Sequence, residues 1–324
     1  PKFRTPGTVR AVAPMGRSLS VISGHRAVVL GPRLRAGEER KTPLVLLGGT
    51  AQWLDSWTGH LSALARARTV LLYETAGQGG GLSRVETAGQ GGGLTSLTRD
   101  LSQLDVADAT LPRHAADFAR VLEASGLARD GQPVDVCAFS FGARVAMAAA
   151  AMPMAPSIRR FCVTGVAADR GPYGRLALAS WRASLAAGDL PGFVWRLILD
   201  THSPSYLSAH EESVGEWVRA VVAANSCEGL RAVVEQTHTE DPNDSTHPVS
   251  MARAIRTAGT VGRGLLIAGN EDRLSPPGSG AALADAAGFA FTELQRTGHA
   301  VPIEQAPTWR RTVLEFLDGD SESD

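Results

Sequence analysis

The stretch V-D-V-C-A-F-S-F-G-A-R, residues 134–144, passes from an apolar run through a serine into small residues. Residues 134–139 read as a buried strand and residues 143–152 as an alanine-rich helix, so Ser140 falls on the turn between them. A serine on so tight a turn adopts a strained backbone. The small residues two before and two after it, Ala138 and Gly142, let strand and helix come close enough to hold that strain. The hydroxyl then stands clear of the sheet, and the helix beyond it aims unpaired N–H groups at the same spot. S-x-G alone is an ordinary turn in most proteins, so the reading needs partners.

Two partners follow in the order Ser, Asp, His. Residues 264–268 read as a strand, and G-N-E-D-R-L-S-P at residues 269–276 puts Asp272 in the loop at its end. Residues 289–294 read as the next strand, and T-G-H-A-V-P at residues 297–302 puts His299 in the loop after it. A histidine there can take the serine proton and return it to a leaving group, and a buried carboxylate can hold its tautomer. Asp169, at the end of an earlier strand, is the alternative acid. A fourth element, L-V-L-L-G-G-T-A-Q-W at residues 44–53, runs from a strand into paired glycines. Backbone donors at Thr50 and Phe141 are the expected oxyanion hole, each worth on the order of 3 kcal/mol in a transition state.

Further apolar runs at residues 69–73 and 160–164 alternate with helical spacing at residues 60–66 and 112–124, the pattern of βαβ units around a mostly parallel sheet. Residues 9–12 and 27–30 read as an antiparallel lead-in. The alternation stops after Asp169, and mainly helical residues follow until the strand at Gly264. The expected organisation is a first core part at 1–169, a helical insertion at 170–255 and a second core part at 256–324. Half of the six tryptophans, Trp181, Trp195 and Trp217, lie in that interval with Phe193 and Tyr206. They either line a lid or pack its own helices. Trp53, Trp181 and Trp195 are the candidate substrate contacts, with Trp53 equally placed for core packing.

These residues and their order resemble the α/β-hydrolase superfamily, especially small bacterial esterases and enol-lactonase-like members with a helical cap after the sixth strand. The resemblance runs from about Arg26 to Leu317. It implies an α/β-hydrolase fold and a serine-nucleophile enzyme acting on carboxylic esters, lactones or thioesters, with Ser140, Asp272 and His299 catalytic. Carbon–carbon cleavage, acyl transfer or cyclisation, and ligand reception occur on the same scaffold. The chain departs from the family pattern in three places. Ala138 stands for the first glycine of the serine motif, Gly48-Gly49 for H-G, and E-T-A-G-Q-G at residues 74–79 for D-x-R-G-x-G.

That last segment begins a nine-residue repeat, E-T-A-G-Q-G-G-G-L, at residues 74–82 and again at 86–94. Neither copy completes a phosphate-binding G-x-G-x-x-G, so a flexible surface loop near the site mouth is expected. The net charge is -1, with 32 basic and 33 acidic residues and no long run of either sign, which argues against nucleic acid or an anionic membrane as partner. No span reaches the roughly 20 apolar residues of a membrane helix, and a soluble cytoplasmic protein is the expectation. Cys137, Cys162 and Cys227 form no C-x-x-C pair, and Cys137 and Cys162 read as buried hydrophobes. His202, His210, His238 and His247 lack metal-ligand spacing and read as solvated or structural. A small-molecule substrate, no cofactor, no metal, and a monomer or homodimer complete the expectation.

Overall fold

A computed structural model describes residues 18–32, 34, 37–80, 109–236, 239 and 241–319. The expected lead-in at residues 9–12, the second repeat copy and His238 lie outside these. Eight strands form one sheet: β1 (Ser18–Ile22), β2 (His25–Leu30), β3 (Lys41–Leu47), β4 (Arg68–Tyr73), β5 (Val134–Phe139), β6 (Ile158–Thr164), β7 (Val261–Gly269) and β8 (Ala290–Leu294). Their order is β1-β2-β4-β3-β5-β6-β7-β8. β1 and β2 pair antiparallel, β2 joins β4 antiparallel, and every pairing from β4 to β8 is parallel.

The central strands are continuously apolar because helices cover both faces. On one face Val45, Leu47, Val136 and Ala138 pack with Phe118 and Val121 of α2 (Leu111–Ser125) and with α3 (Phe141–Ala150). On the other, Leu44, Leu46, Cys137 and Phe139 pack with Leu61 of α1 (Thr58–Leu64) and with Trp309 and Val313 near the C-terminus. Alternate residues of one strand thus feed two cores, as the two-residue strand period requires. Cys137 and Cys162 are fully buried in the second.

Between β6 and β7 come α4 (Gly171–Ala186), α5 (Leu190–Thr201), α6 (Pro204–Ala209), α7 (Glu211–Ala224), α8 (Cys227–Gln236) and α9 (Pro248–Ala258). Helices α4, α5, α7 and α8 build a hydrophobic cluster of their own around Trp181, Phe193 and Leu230. Helix α9 belongs elsewhere. Its Met251, Ala252 and Ile255 share the cluster of Val136, so residue 255, the expected end of the insertion, falls within a helix that joins the core beside α3. The chain closes with α10 (Pro277–Ala287), β8, α11 (Val301–Glu304) and α12 (Ala306–Asp318). Among the described residues no helix is long and apolar enough to cross a membrane.

Two buried histidines make the core acid-sensitive. His60 is wedged against Trp309, ring centroids 4.9 Å apart, and His114 meets Phe141 edge-on at 5.1 Å. Burial pushes both rings down from 6.5 to about 4. The unfolded chain therefore takes up protons near pH 6.5 that the folded chain refuses until about pH 4. Their contribution is complete above 6.5 and is lost as pH falls towards 4, on the order of a few kcal/mol for the pair. Urea unfolding at pH 7 and pH 5 checks this: the midpoint is expected to drop at pH 5, and equal midpoints would contradict it.

Candidate active site

Ser140 occupies the turn from β5 into α3 with φ 52° and ψ -115°. A non-glycine residue holds that backbone only where its surroundings over-determine it. Here the Ser140 N–H donates to the Thr164 carbonyl at 2.8 Å, and the Gly142 N–H to the Gly48 carbonyl at 3.0 Å. The turn is thereby tied to the ends of β6 and β3. A Cβ on Gly142 would stand 2.4 Å from the Gly48 oxygen, so only glycine permits this approach. Ala138 is fully buried two residues before the serine, where its methyl is accommodated.

The loops after β7 and β8 bring Asp272 and His299 to the serine. Nε2 of His299 lies 2.9 Å from Oγ of Ser140, and Nδ1 lies 2.8 Å from Oδ2 of Asp272. The other carboxylate oxygen, Oδ1, accepts the N–H groups of Leu274 at 2.9 Å and Ser275 at 2.8 Å. Asp272 is thus fixed from both sides and its side chain is fully buried. Gly165 brings the end of β6 against the imidazole, where a Cβ would stand 3.1 Å from His299 Cε1. Glu304 braces the histidine loop, accepting from the N–H of Gly298 at 3.2 Å and from the N–H of Ser203 at 3.0 Å. Asp169 stands apart: it is mostly exposed and paired with Arg175 at 3.0 Å, so the alternative acid is set aside.

The glycine pair after β3 runs beside the serine, a Cβ on Gly49 lying 3.2 Å from Ser140 Cβ. Around Thr50 the neighbouring donors are occupied. Gly49 N–H donates to Gln52 Oε1 at 2.7 Å and Ala51 N–H to Gln78 Oε1 at 2.5 Å. The N–H groups of Thr50 and Phe141 make no hydrogen bond among the described residues, and that of Phe141 opens α3. Asn225 locks the same loop, donating to the Ala51 carbonyl at 3.1 Å while accepting the Gly79 N–H at 3.0 Å.

Residues 74–79 are consequently a buried brace, which corrects the expected flexible surface loop for this part of the first repeat copy. Glu74 is clamped by Arg26 at 2.9 Å and by the Leu54 N–H at 3.2 Å. Burial raises the affinity of its carboxyl for a proton, and Arg26 opposes that rise. Glu74 and Gln78 therefore support the loop that carries Thr50.

Above the serine opens a cavity of about 380 Å³ lined mainly by apolar groups. Thr50, Trp53 and Trp181 line it, together with Ser140 and His299. Trp195 does not. It is 43% exposed on the outer face of α5, because Phe193, Val194, Leu197 and Ile198 take the inner face. Trp217, Tyr206 and His202 line the cavity instead, and His202 stacks on Tyr206 at 5.5 Å and on Trp217 at 5.9 Å. His202 is buried, and burial lowers its affinity for a proton. His202 ends α5 in extended backbone while Tyr206 stands in α6, so no helical spacing in the chain pairs them. Among the described residues no group of three or more His, Cys, Asp or Glu is arranged to hold a metal.

A serine at a strained strand–helix turn, met by an acid and a histidine from later strand ends at the carboxyl edge of a parallel sheet, defines the α/β-hydrolase class. A family model described as the alpha/beta hydrolase family matches residues 44–309, and the chain belongs to that family. Among solved structures it is similar to MGS-M2, an alpha/beta hydrolase enzyme from a Medee basin deep-sea metagenome library. The TM-score is 0.69 at 18% identity, over 95% of this chain and 99% of that one. It is also similar to the enol-lactonase from Burkholderia xenovorans LB400, with TM-score 0.68 at 21% identity over 93% and 100% of the two chains. A thermophilic esterase from Thermogutta terrifontis gives TM-score 0.64 at 18% identity over 93% and 98%. The comparison with curated proteins finds no match.

Proposed function

We propose that the chain is a serine hydrolase that cleaves an ester-type acyl bond, in a carboxylic ester, lactone or thioester of small to medium size. The observation that carries this reading is the 2.9 Å approach of His299 Nε2 to Ser140 Oγ, with Asp272 2.8 Å behind the ring. Oγ attacks the carbonyl carbon as its proton passes to Nε2, and Asp272 steadies the imidazolium. The carbonyl oxygen, now negative, is held by the N–H groups of Thr50 and Phe141. Collapse expels the leaving group, which takes the proton from Nε2, and leaves the acyl group on Oγ. Water then attacks and gives a proton to the same nitrogen, and collapse releases the acid as that proton returns from Nε2 to Oγ. Helices α4 to α8 act as a cap, with Trp53, Trp181 and Trp217 walling the apolar part of the substrate.

Turnover of a panel of short p-nitrophenyl esters, lactones and thioesters in ¹⁸O-water, with fluorophosphonate labelling, tests the reading. One ¹⁸O in each product acid and a label on Ser140 alone are expected. No turnover and no label would overturn it, and leaving-group release without formation of ¹⁸O-labelled acid would replace hydrolysis with acyl transfer.

A further inference from the structure

Ser140 also borders a second cavity, of about 240 Å³, and it is the one described residue that lines both. The two differ in chemistry. Where the first is walled by aromatic rings, the second is walled by Arg144, Arg170 and Arg175. Arg175 is paired with Asp169 at 3.0 Å, but Arg144 and Arg170 form no ion pair among the described residues. Arg144 is only 5% exposed; among the described residues its side chain makes one hydrogen bond, to the Thr246 carbonyl at 3.3 Å, and its Nε is buried without a partner. Nearby carboxylates are already engaged. Asp272 Oδ2 faces His299, and Asp244 Oδ1 accepts from the N–H and the hydroxyl of Thr246.

A buried guanidinium without a counter-ion is costly and persists where an anion completes it. The cost is visible in Arg144, whose hold on its proton is lowered to about 9 by burial. A planar guanidinium fork matches a planar carboxylate. Resting on the serine-hydrolase reading, we infer that the substrate carries a carboxylate that sits against Arg144 and Arg170, across the scissile bond from its apolar part. The carbonyl lies at Ser140, between the cavities, so one substituent enters each. The substrate class is then an anionic ester: a half-ester of a dicarboxylic acid, or an acyl ester of a hydroxy acid.

The test uses two matched pairs, because the carboxylate belongs to either the acyl or the alcohol side. One pair is p-nitrophenyl pentanoate and mono-p-nitrophenyl glutarate; the other is phenyl pentanoate and 3-(pentanoyloxy)benzoate. In at least one pair the charged ester is expected to exceed the neutral one in kcat/KM by about tenfold or more, chiefly through KM. Arg170→Gln is expected to abolish that ratio and Arg170→Lys to retain part of it. Arg170 comes first because Arg144 is buried within α3 and its replacement endangers folding. Neutral esters turned over as well as or better than charged ones in both pairs would sink the inference and leave the hydrolase reading intact. If no ester is turned over the hydrolase reading falls, and calorimetric binding of glutarate, lost in Arg170→Gln, still decides the cavity's role: binding supports it and no binding overturns it.

Discussion

Ser140→Ala is expected to lower ester turnover by about 10⁴-fold or more while leaving the fold in place. The size follows from what one atom does. On the proposed mechanism Oγ is the bond-forming group, and no other described hydroxyl lies within hydrogen-bond reach of His299 Nε2. The variant keeps the Thr50 and Phe141 N–H groups and both cavities, so on the proposed mechanism substrate still binds and its carbonyl is still polarised. The surviving rate belongs to water attacking a positioned carbonyl. Alanine has little reason to unfold the turn, because the strain at φ 52° is held by the N–H groups of residues 140 and 142, which the substitution leaves alone. Steady-state kinetics beside a thermal midpoint separate the two effects. An unchanged midpoint with turnover within tenfold of the parent would remove Ser140 from the chemistry.

The residues of this site differ in how far the chain order reveals them. Ser140, Asp272 and His299 are legible because each sits at the end of a strongly apolar run, and strand ends of a parallel sheet are where ligands meet the fold. Thr50 is legible through the glycine pair before it, which a close approach requires; the clash that a Cβ on Gly49 would make with the Phe139 ring, at 2.8 Å, is the physical reason. The aromatic wall is different. Whether Trp195 or Trp217 faces the cavity depends on how α5 and α7 roll against their neighbours, and both tryptophans stand on helices with plausible apolar faces. Arg144 hid for the opposite reason. It stands in an alanine-rich helix whose ten residues are all buried, so it reads as a tolerated interruption of a core helix, and only the geometry shows it bordering a cavity. Gln78 and Asn225 meet at Ala51 from positions far apart in the chain, which no local pattern encodes.

Asp272→Asn should cost about 10⁴-fold in turnover, nearly as much as losing the nucleophile, through proton placement. Oδ1 of Asp272 accepts two N–H groups, from Leu274 and Ser275, and a carboxamide can keep both only by turning its oxygen towards them. Its NH₂ then faces His299 Nδ1, where the carboxylate oxygen stands 2.8 Å away. A donor there obliges Nδ1 to accept, which moves the ring proton to Nε2. That nitrogen, 2.9 Å from Ser140 Oγ, would then point a proton at the hydroxyl it should deprotonate. The opposite amide orientation is worse, since it sets the NH₂ against two buried N–H groups. The defect therefore lies in the tautomer, and two readouts should split. Labelling of Ser140 by a fluorophosphonate is expected to slow along with turnover, while KM stays within a few-fold because no substrate contact is lost. A variant that kept its labelling rate, or lost activity only through KM, would show that Asp272 acts by shaping the pocket and that His299 needs no orienting partner.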